Sequence, residues 1–400
     1  MKKKIKLNTI EILVLVTIPS LLLSIISGSL VYSRLNNTGK VTTTNNKYVN
    51  EFINTYNKLL EEYYEDLDEN KLVEAAINGM LTYTGDDYTI YMNEDATEQL
   101  NEKLDGIYEG IGVKISLDEQ GNIYIYEVFN DTPASQAGIL VNDILLSIND
   151  ESVIGKTTEE ASNIIKNAKE PKIKITIKRN EEELTFDVER KQLIVPATKS
   201  SIKEVNDKKI GYIKIETFSS TIDTQVLSTL TSMESEGINS LIIDLRDNTG
   251  GYLTTCTKIV EMFLKKDKIM YTIKSKKDSV DYKDTTEESR NYPIVVLING
   301  QSASASEILA SALKYSYGAT IVGKASYGKG KVQTTGTLDD GTMIKYTSAR
   351  WYTPFGNCID GVGLVPDVEV DFSEEYINNP IEANDNQLNE AIRILSETNW

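Results

Sequence analysis

From residue 195 onward, short continuous apolar runs alternate with segments of helical periodicity, and that alternation restricts the chain more than any other feature. Ile210–Phe218, Ser240–Leu245, Ile294–Asn299 and Thr320–Gly323 read as buried strands. Val226–Glu234, Thr254–Phe263 and Ala305–Tyr315 carry apolar residues at helical spacing between them. Strands that are apolar throughout must be covered on both faces, so the pattern predicts an α/β core. A β-rich stretch, Val332–Trp351, and a short helix around Leu388–Leu395 complete the region.

Upstream the texture changes twice. Residues 47–100 read as helical: Phe52, Ile53, Tyr56, Leu59, Leu60 and Tyr63 form one stripe, Leu72, Ala75, Ala76, Gly79 and Met80 a second, and Gly85-Asp86-Asp87-Tyr88 a turn. From Ile107 to Arg190 short strands prevail, among them Ile123–Val128 and Ile173–Ile177, with one helix, Thr158–Ala168. Ahead of the first of these strands stands Gly110-Ile111-Gly112-Val113. Two glycines there are explained by a tight turn when taken alone. With Thr132–Ile139 and Asn142–Asn149 added, the region resembles a PDZ domain over most of about 85 residues. The resemblance implies that Gly110, Ile111, Gly112 and Val113 offer backbone N–H groups to a peptide's terminal carboxylate while the peptide adds as a strand.

The N-terminus is basic and then apolar. Lys2, Lys3, Lys4 and Lys6 precede the 23-residue stretch Ile10–Tyr32, whose single charge is Glu11. As a helix it would span roughly 35 Å, enough for a bilayer core. Lysines before the stretch predict a cytoplasmic N-terminus and a body outside the cytoplasm. Ser27-Gly28-Ser29 is a weak cleavage signal, so an uncleaved anchor is favoured over a removed leader. Polar sequence at Asn36–Asn46 reads as a stalk.

Composition excludes more than it assigns. There is no histidine, which removes Ser-His-Asp and Cys-His mechanisms and imidazole-based zinc sites. The formal net charge is −18, and because the first 34 residues are basic the body is more acidic still, which argues against a nucleic-acid partner. Two cysteines, Cys256 and Cys358, make no disulfide framework and read as free or buried thiols.

Three segments carry chemistry. Strand Ile294–Asn299 runs into Gly300-Gln301-Ser302-Ala303-Ser304-Ala305-Ser306-Glu307 and then an apolar-striped helix. Such a turn exposes a side chain at a helix N-terminus, where unpaired N–H groups favour developing negative charge. Ser304-Ala305-Ser306-Glu307 is also a capping box, and on this segment alone a capping serine is the better account. Gly328-Lys329-Gly330-Lys331-Val332-Gln333 places a lysine among glycines, and burial would lower its pKa enough to make it a base. In an extended segment Lys329 and Gln333 share a face, so that Gln333 accepts from the amine and directs it. A solvated Gly-Lys loop is the plain alternative. Leu245–Gly251 follows a buried strand, and its paired glycines either cap the next helix or, with the N–H of Ala305, form an oxyanion hole.

Together with Gly211–Ile215, Tyr352–Gly356 and Gly363–Asp367, these segments resemble, in order, the carboxy-terminal processing peptidases, Ser-Lys proteases that carry one PDZ domain. The similarity spans roughly residues 45–400. It implies that Ser304 is the nucleophile, that Lys329, 25 residues on, is its general base, that Gln333 orients the lysine, and that Gly251 and Ala305 supply the oxyanion amides. It implies no metal and no organic cofactor, protein substrates bound by apolar C-termini, and a homodimer through the helical region, as in some relatives. Some members carry Gln-Asp where this chain has Lys314-Tyr315, so an acid there has no role here. Lys166 stands where some relatives place an arginine that couples the PDZ domain to the site; the lysine keeps the charge without the bidentate fork.

The expected architecture is therefore multi-domain α/β: a basic tail and transmembrane anchor (1–34), a linker (35–46), a helical domain (47–103), an inserted PDZ domain (104–192) and a crotonase-like spiral protease core with a C-terminal helix (193–400). The expected protein is a serine endopeptidase of the cell membrane. A non-catalytic PDZ adaptor and, more remotely, an acyl-thioester enzyme on the same core fold are the competing readings.

Overall fold

The computed structural model describes residues 45–338 and 341–397. The apolar stretch Ile10–Tyr32 lies outside them. Among the described residues no helix is long and apolar enough to cross a membrane.

The chain forms two compact units that divide between Tyr83 and Thr84. In the first, α1 (Lys47–Glu62) starts on Asn46, whose side chain accepts from Tyr48 N–H, and α2 (Glu69–Thr82) starts on Asp68, which accepts from Lys71 N–H. These caps satisfy helix donors that have no partner within the helix. Tyr56 Oη donates to Glu69 across the two helices at 2.6 Å.

The second unit opens with β1 (Ile90–Met92) and α3 (Glu94–Asp105). A PDZ-like sandwich follows: β2 (Ile107–Gly110), β3 (Val113–Leu117), β4 (Ile123–Val128), α4 (Pro133–Ala137), β5 (Ile144–Ile148), β6 (Glu151–Ser152), α5 (Thr158–Lys166), β7 (Lys172–Arg179), β8 (Glu182–Glu189) and β9 (Lys191–Ile194). Its main sheet runs β3-β4-β5-β7-β8, with β6 on β5, while β2 pairs with β9. The alternation seen in the sequence is the burial pattern: Ile123 and Ile125, then Ile173, Ile175 and Ile177, face one core with Ala161 and Ile165 of α5. Strand β3 is the edge beside α5.

The remaining core strands are β10 (Thr198–Val205), β11 (Lys208–Ile215), β12 (Ser240–Asp244), β13 (Ile269–Ser275), β14 (Ser279–Lys283), β15 (Ile294–Ile298), β16 (Thr320–Gly323), β17 (Lys331–Thr337), β18 (Met343–Tyr352) and β19 (Val368–Glu369). The longer helices are α6 (Ile222–Ser235), α7 (Leu253–Glu261), α8 (Ala305–Ala312), which continues as a π-helical turn over Leu313–Tyr317, and α9 (Asn386–Glu397), which a short helix over Glu374–Asn378 precedes. One sheet has the order β10-β11-β12-β15-β16-β19, parallel from β11 onward. Its central strands are buried on both faces, as the unbroken apolar runs require. Leu241, Ile243, Val296 and Ile298 face α6, α7 and α8; Ile242, Val295 and Leu297 face Leu388, Ala391 and Leu395 of α9. A second, antiparallel sheet joins β17 to β18 and, on the other side of β18, β1 and β13, with β14 on β13. Strand β1, read in the sequence only as part of a helical region, thus belongs to this sheet.

Buried charge sits on the α9 side. Arg246 donates to Asp244 at 2.6 Å and to Asp385 at 2.8 Å, all three side chains being buried, and Tyr212 Oη adds a hydrogen bond to Asp244 at 2.8 Å. The salt bridges fasten the segment before α9 to the end of β12.

Candidate active site

The carboxyl ends of β12 and β15 open into a cleft, the usual place for a ligand in a parallel sheet. Two loops leave there, and buried Asn248 binds them together. Its side chain donates to Ile215 O at 2.8 Å and accepts from Gly250 N–H at 2.9 Å, while its carbonyl accepts from Ala303 N–H at 3.0 Å and Ser306 Oγ at 2.8 Å. Ser302 Oγ donates across to Leu245 O at 2.8 Å.

Held in this way, the turn forces Ser304 to φ 55° and ψ −114°, a conformation that a non-glycine residue adopts only when its surroundings impose it. Ser304 precedes α8, and every residue of that helix is buried. The capping box expected from the sequence is half of something larger. Ser304 Oγ makes no capping hydrogen bond, but the Glu307 carboxylate accepts from Ser304 N–H at 2.8 Å. Glu307 also accepts from Lys329 N–H at 2.9 Å, Gly328 N–H at 2.7 Å and Ser326 Oγ at 2.5 Å. Burial pushes its pKa up against these four donors.

The glycines of the facing loop are required by contact. Gly250 and Gly251 have φ of 103° and 146°. A Cβ on Gly250 would lie 2.9 Å from Ser304 Cβ, and one on Gly251 would lie 2.3 Å from Phe218 O. Among the described residues the N–H groups of Gly251 and Ala305 have no acceptor.

A cavity of about 460 Å³ gathers Ser304, Ala305, Gly251, Lys329 and Gln333, all five core residues singled out in the sequence. Leu100 and Leu104 of α3, Leu253, Val332 and Trp351 give it apolar walls. Trp351 is buried, and its indole N–H donates to Lys329 O at 2.9 Å, which holds the carbonyl of the lysine while Glu307 holds its N–H. Burial, and then repulsion from Lys345 in the same cavity, lower the Lys329 pKa; Glu307 and Asp86 act in the opposite sense. The Lys329 ammonium nitrogen stands 4.6 Å from the centre of the Tyr88 ring, an attractive cation–π distance.

The shared face expected for Lys329 and Gln333 needs correction. Strand β17 begins at Lys331, after the lysine, and a bulge between Val332 and Gln333 breaks the alternation. Both residues still line the cavity, but Gln333 Nε2 donates to Thr347 Oγ1 at 3.3 Å.

In the PDZ-like sandwich, Gly110, Ile111 and Val113 line a second cavity of about 180 Å³ between β3 and α5, whereas Gly112, at φ 93°, does not line it. Gly112 instead fixes the loop: its carbonyl accepts from Phe129 N–H at 2.9 Å, and a Cβ there would lie 2.3 Å from Thr132. Edge strand β3 leaves room for an added strand. Lys166 of α5 pairs with Glu98 and Glu102 of α3 at 2.8 and 2.7 Å. Lys314 bonds Val365 O and Asp367, away from the cavity. Cys256 is buried, its thiol donating to Ala305 O at 3.2 Å, and Cys358 is exposed; both are free.

Several contributors carried no sequence signal. Asp86, Tyr88, Leu100 and Leu104 come from the segment before the PDZ-like domain, and Thr347, Lys345 and Trp351 from β18. Glu307 was visible as a capping residue, but not as the link to a loop further along.

Comparison with known proteins follows the same division. The model of peptidase family S41 matches residues 209–370, that of the PDZ domain residues 109–189, and that of the N-terminal domain of the activating protease CtpB residues 27–96. The carboxy-terminal processing protease CtpB of Bacillus subtilis is 34% identical over 360 residues, 89% of this chain and 74% of that protein. A CtpA-like serine protease of Staphylococcus aureus is 29% identical over 365 residues, 90% of this chain and 72% of that one. Among solved structures, an S41 protease from Bacteroides fragilis matches with a TM-score of 0.56 at 16% identity, covering 89% of this chain and 98% of that one. The photosystem II D1 C-terminal processing protease matches with a TM-score of 0.50 at 22% identity, covering 88% and 92%. At these identities the two structures establish a shared fold.

Proposed function

The chain belongs to peptidase family S41 and is a serine-type carboxy-terminal processing peptidase, and on that premise we propose that Ser304 is its nucleophile and Lys329 its general base. The observation that carries this reading is Glu307, whose carboxylate joins the strained Ser304 turn to the Lys329 loop beside one cavity. With no histidine in the chain, a half-buried lysine of lowered pKa is the base that the cavity offers.

Neutral Lys329 takes the Ser304 proton as Ser304 Oγ bonds to the scissile carbonyl carbon. The amides of Gly251 and Ala305 receive the oxyanion, each worth roughly 10²–10³ in rate. The lysinium returns its proton to the leaving amine, and water then hydrolyses the acyl-enzyme. Gln333 accepts from the lysine and directs it. The loop Gly110–Val113 takes the C-terminal carboxylate of a protein substrate whose last residues pair with β3. Residues 10–32 anchor the enzyme in the cell membrane, with the body outside the cytoplasm, and the helical unit of α1 and α2 forms a homodimer.

Incubating residues 40–400 with an unstructured protein ending in apolar residues tests the catalytic part. Cleavage by the parent that disappears in Ser304→Ala and in Lys329→Ala is the expected result. Full activity in either variant sinks the assignment. Binding of the C-terminal peptide without cleavage would favour an adaptor or an enzyme awaiting an activator. Extraction of the full chain from membranes by detergent but not by salt is the outcome expected of the anchor.

A further inference from the structure

Gln333 stands at the end of a hydrogen-bond chain that begins in the turn before β1. Asp86 Oδ1 accepts from Lys331 Nζ at 2.8 Å, and Asp86 Oδ2 accepts from the hydroxyls of Thr89 and Thr347, both at 2.6 Å. Thr347 N–H donates to Thr89 Oγ1 at 3.2 Å, which closes the network. Burial opposes the charge on Asp86, but hydrogen bonds from Lys331, Thr347 and Thr89 outweigh it and hold the carboxyl well below the usual range. Asp86 is therefore ionised at neutral pH and can only accept.

That fixes the orientation of everything downstream. A hydroxyl has one proton, and Thr347 commits its proton to Asp86. Toward Gln333 the Thr347 oxygen can only accept, so the Gln333 amide must turn its nitrogen there, at 3.3 Å. The amide oxygen is then the end left for the cavity that Gln333 lines with Lys329 and Ser304.

We propose that Asp86 is a positioning residue, which acts through Thr347 to hold the Gln333 amide with its oxygen, not its nitrogen, available to Lys329. The inference rests on the reading of Gln333 as the group that directs the lysine. Without Asp86, the Thr347 hydroxyl is free to donate to Gln333, the amide can turn over, and an N–H group then faces the base. A turn far from the nucleophile in sequence thereby decides whether the lysine is aimed.

The test is a double-mutant cycle on the full-length enzyme, with a fluorogenic unstructured peptide ending in apolar residues as the probe. Asp86→Ala, Thr347→Val and Gln333→Ala are made singly and in pairs, and kcat, KM and melting temperature are measured for each. Each single variant is expected to lower kcat by roughly tenfold or more with KM within about twofold. On the high-pH plateau, where the direct effect of the Asp86 charge on the Lys329 pKa no longer alters the rate, Asp86→Ala or Thr347→Val added to Gln333→Ala is expected to lower kcat no further, because the positioning effect passes through that amide. Thr347→Ser, which keeps the hydroxyl, is expected to retain parental kcat. Additive losses, or parental kcat in folded Asp86→Ala and Thr347→Val, overturn the inference while the Ser304–Lys329 reading stands. Parental kcat in Gln333→Ala overturns the role of Gln333 and this inference with it. Should Asp86→Ala fail to fold, Thr347→Val preserves side-chain volume and decides the matter alone.

Discussion

One oxygen of Glu307, Oε2, accepts from the main-chain N–H of Ser304 at 2.8 Å and from that of Lys329 at 2.9 Å. The distance between nucleophile and base is thus set through main chain, by a side chain that reaches neither reacting atom in those contacts. The other oxygen, Oε1, holds Gly328 and Ser326, so the carboxylate serves as the joint between α8 and the lysine loop.

Glu307→Gln puts an amide N–H against one of these donors. Displacing a catalytic group by about 1 Å can cost roughly 10²-fold in rate, and a loss of that size is expected in kcat, with KM little changed. Stability should fall by about 1–3 kcal/mol, because a buried donor loses its acceptor. Single-turnover kinetics and a denaturant titration measure the two effects separately. Parental kcat in Glu307→Gln would show that the joint is dispensable.

The rate should rise with pH as Lys329 loses its proton, with a midpoint below the value of about 10.4 for a free lysine, because burial and then Lys345 disfavour the charged form. Lys345→Met removes the second cation. Protonated Lys329 then becomes more stable, its pKa rises, and the ascending limb of kcat/KM moves to higher pH. Removing the negative charge of Asp86 or Glu307 has the opposite sign. The Tyr88 ring approaches both Lys329 and Lys331, the latter paired with Asp86, and neither Tyr88 nor Lys331 changes in the Lys345 variant. A limb that stays in place in Lys345→Met would remove Lys345 from the account of the base.

Gly251→Ala should destabilise the protein by more than about 2 kcal/mol, since the new methyl meets Phe218 O and the backbone holds φ 146°. Thermal unfolding is the direct measurement. An unchanged melting temperature would mean that the loop gives way more easily than its contacts imply.

Arg246→Met leaves Asp244 and Asp385 buried beside each other without their cation. Removing one partner of a buried ion cluster typically costs about 3–5 kcal/mol. Urea unfolding should register a loss in that range; one below about 1 kcal/mol would show that water or a side-chain shift reaches the two carboxylates.

The strand–turn–helix around Ser304 was legible because its three parts are local: an apolar run, small residues and a helical stripe. The Gly-Lys-Gly loop was legible as a loop for the same reason, and its link to Ser304 came only from the resemblance to the carboxy-terminal processing peptidases. What escaped was long-range. Asp86 and Thr347 meet only because β1 joins the sheet of β18, and an isolated Gly-Asp-Asp-Tyr turn carries no mark of that pairing. The bulge at Val332 and Gln333 escaped because period-two reasoning assumes an unbroken ladder. Glu307 was recognised at its near end, where the capping pattern lies within four residues, and missed at its far end.

Trp351 grips the carbonyl of Lys329 through its indole N–H, and the only other tryptophan in the chain is Trp400. In a Trp400→Phe background the emission of one fluorophore therefore follows the loop that carries the base. Any event that loosens that loop wets the indole and shifts its spectrum to the red, so the state of the site can be timed without a substrate or an added label.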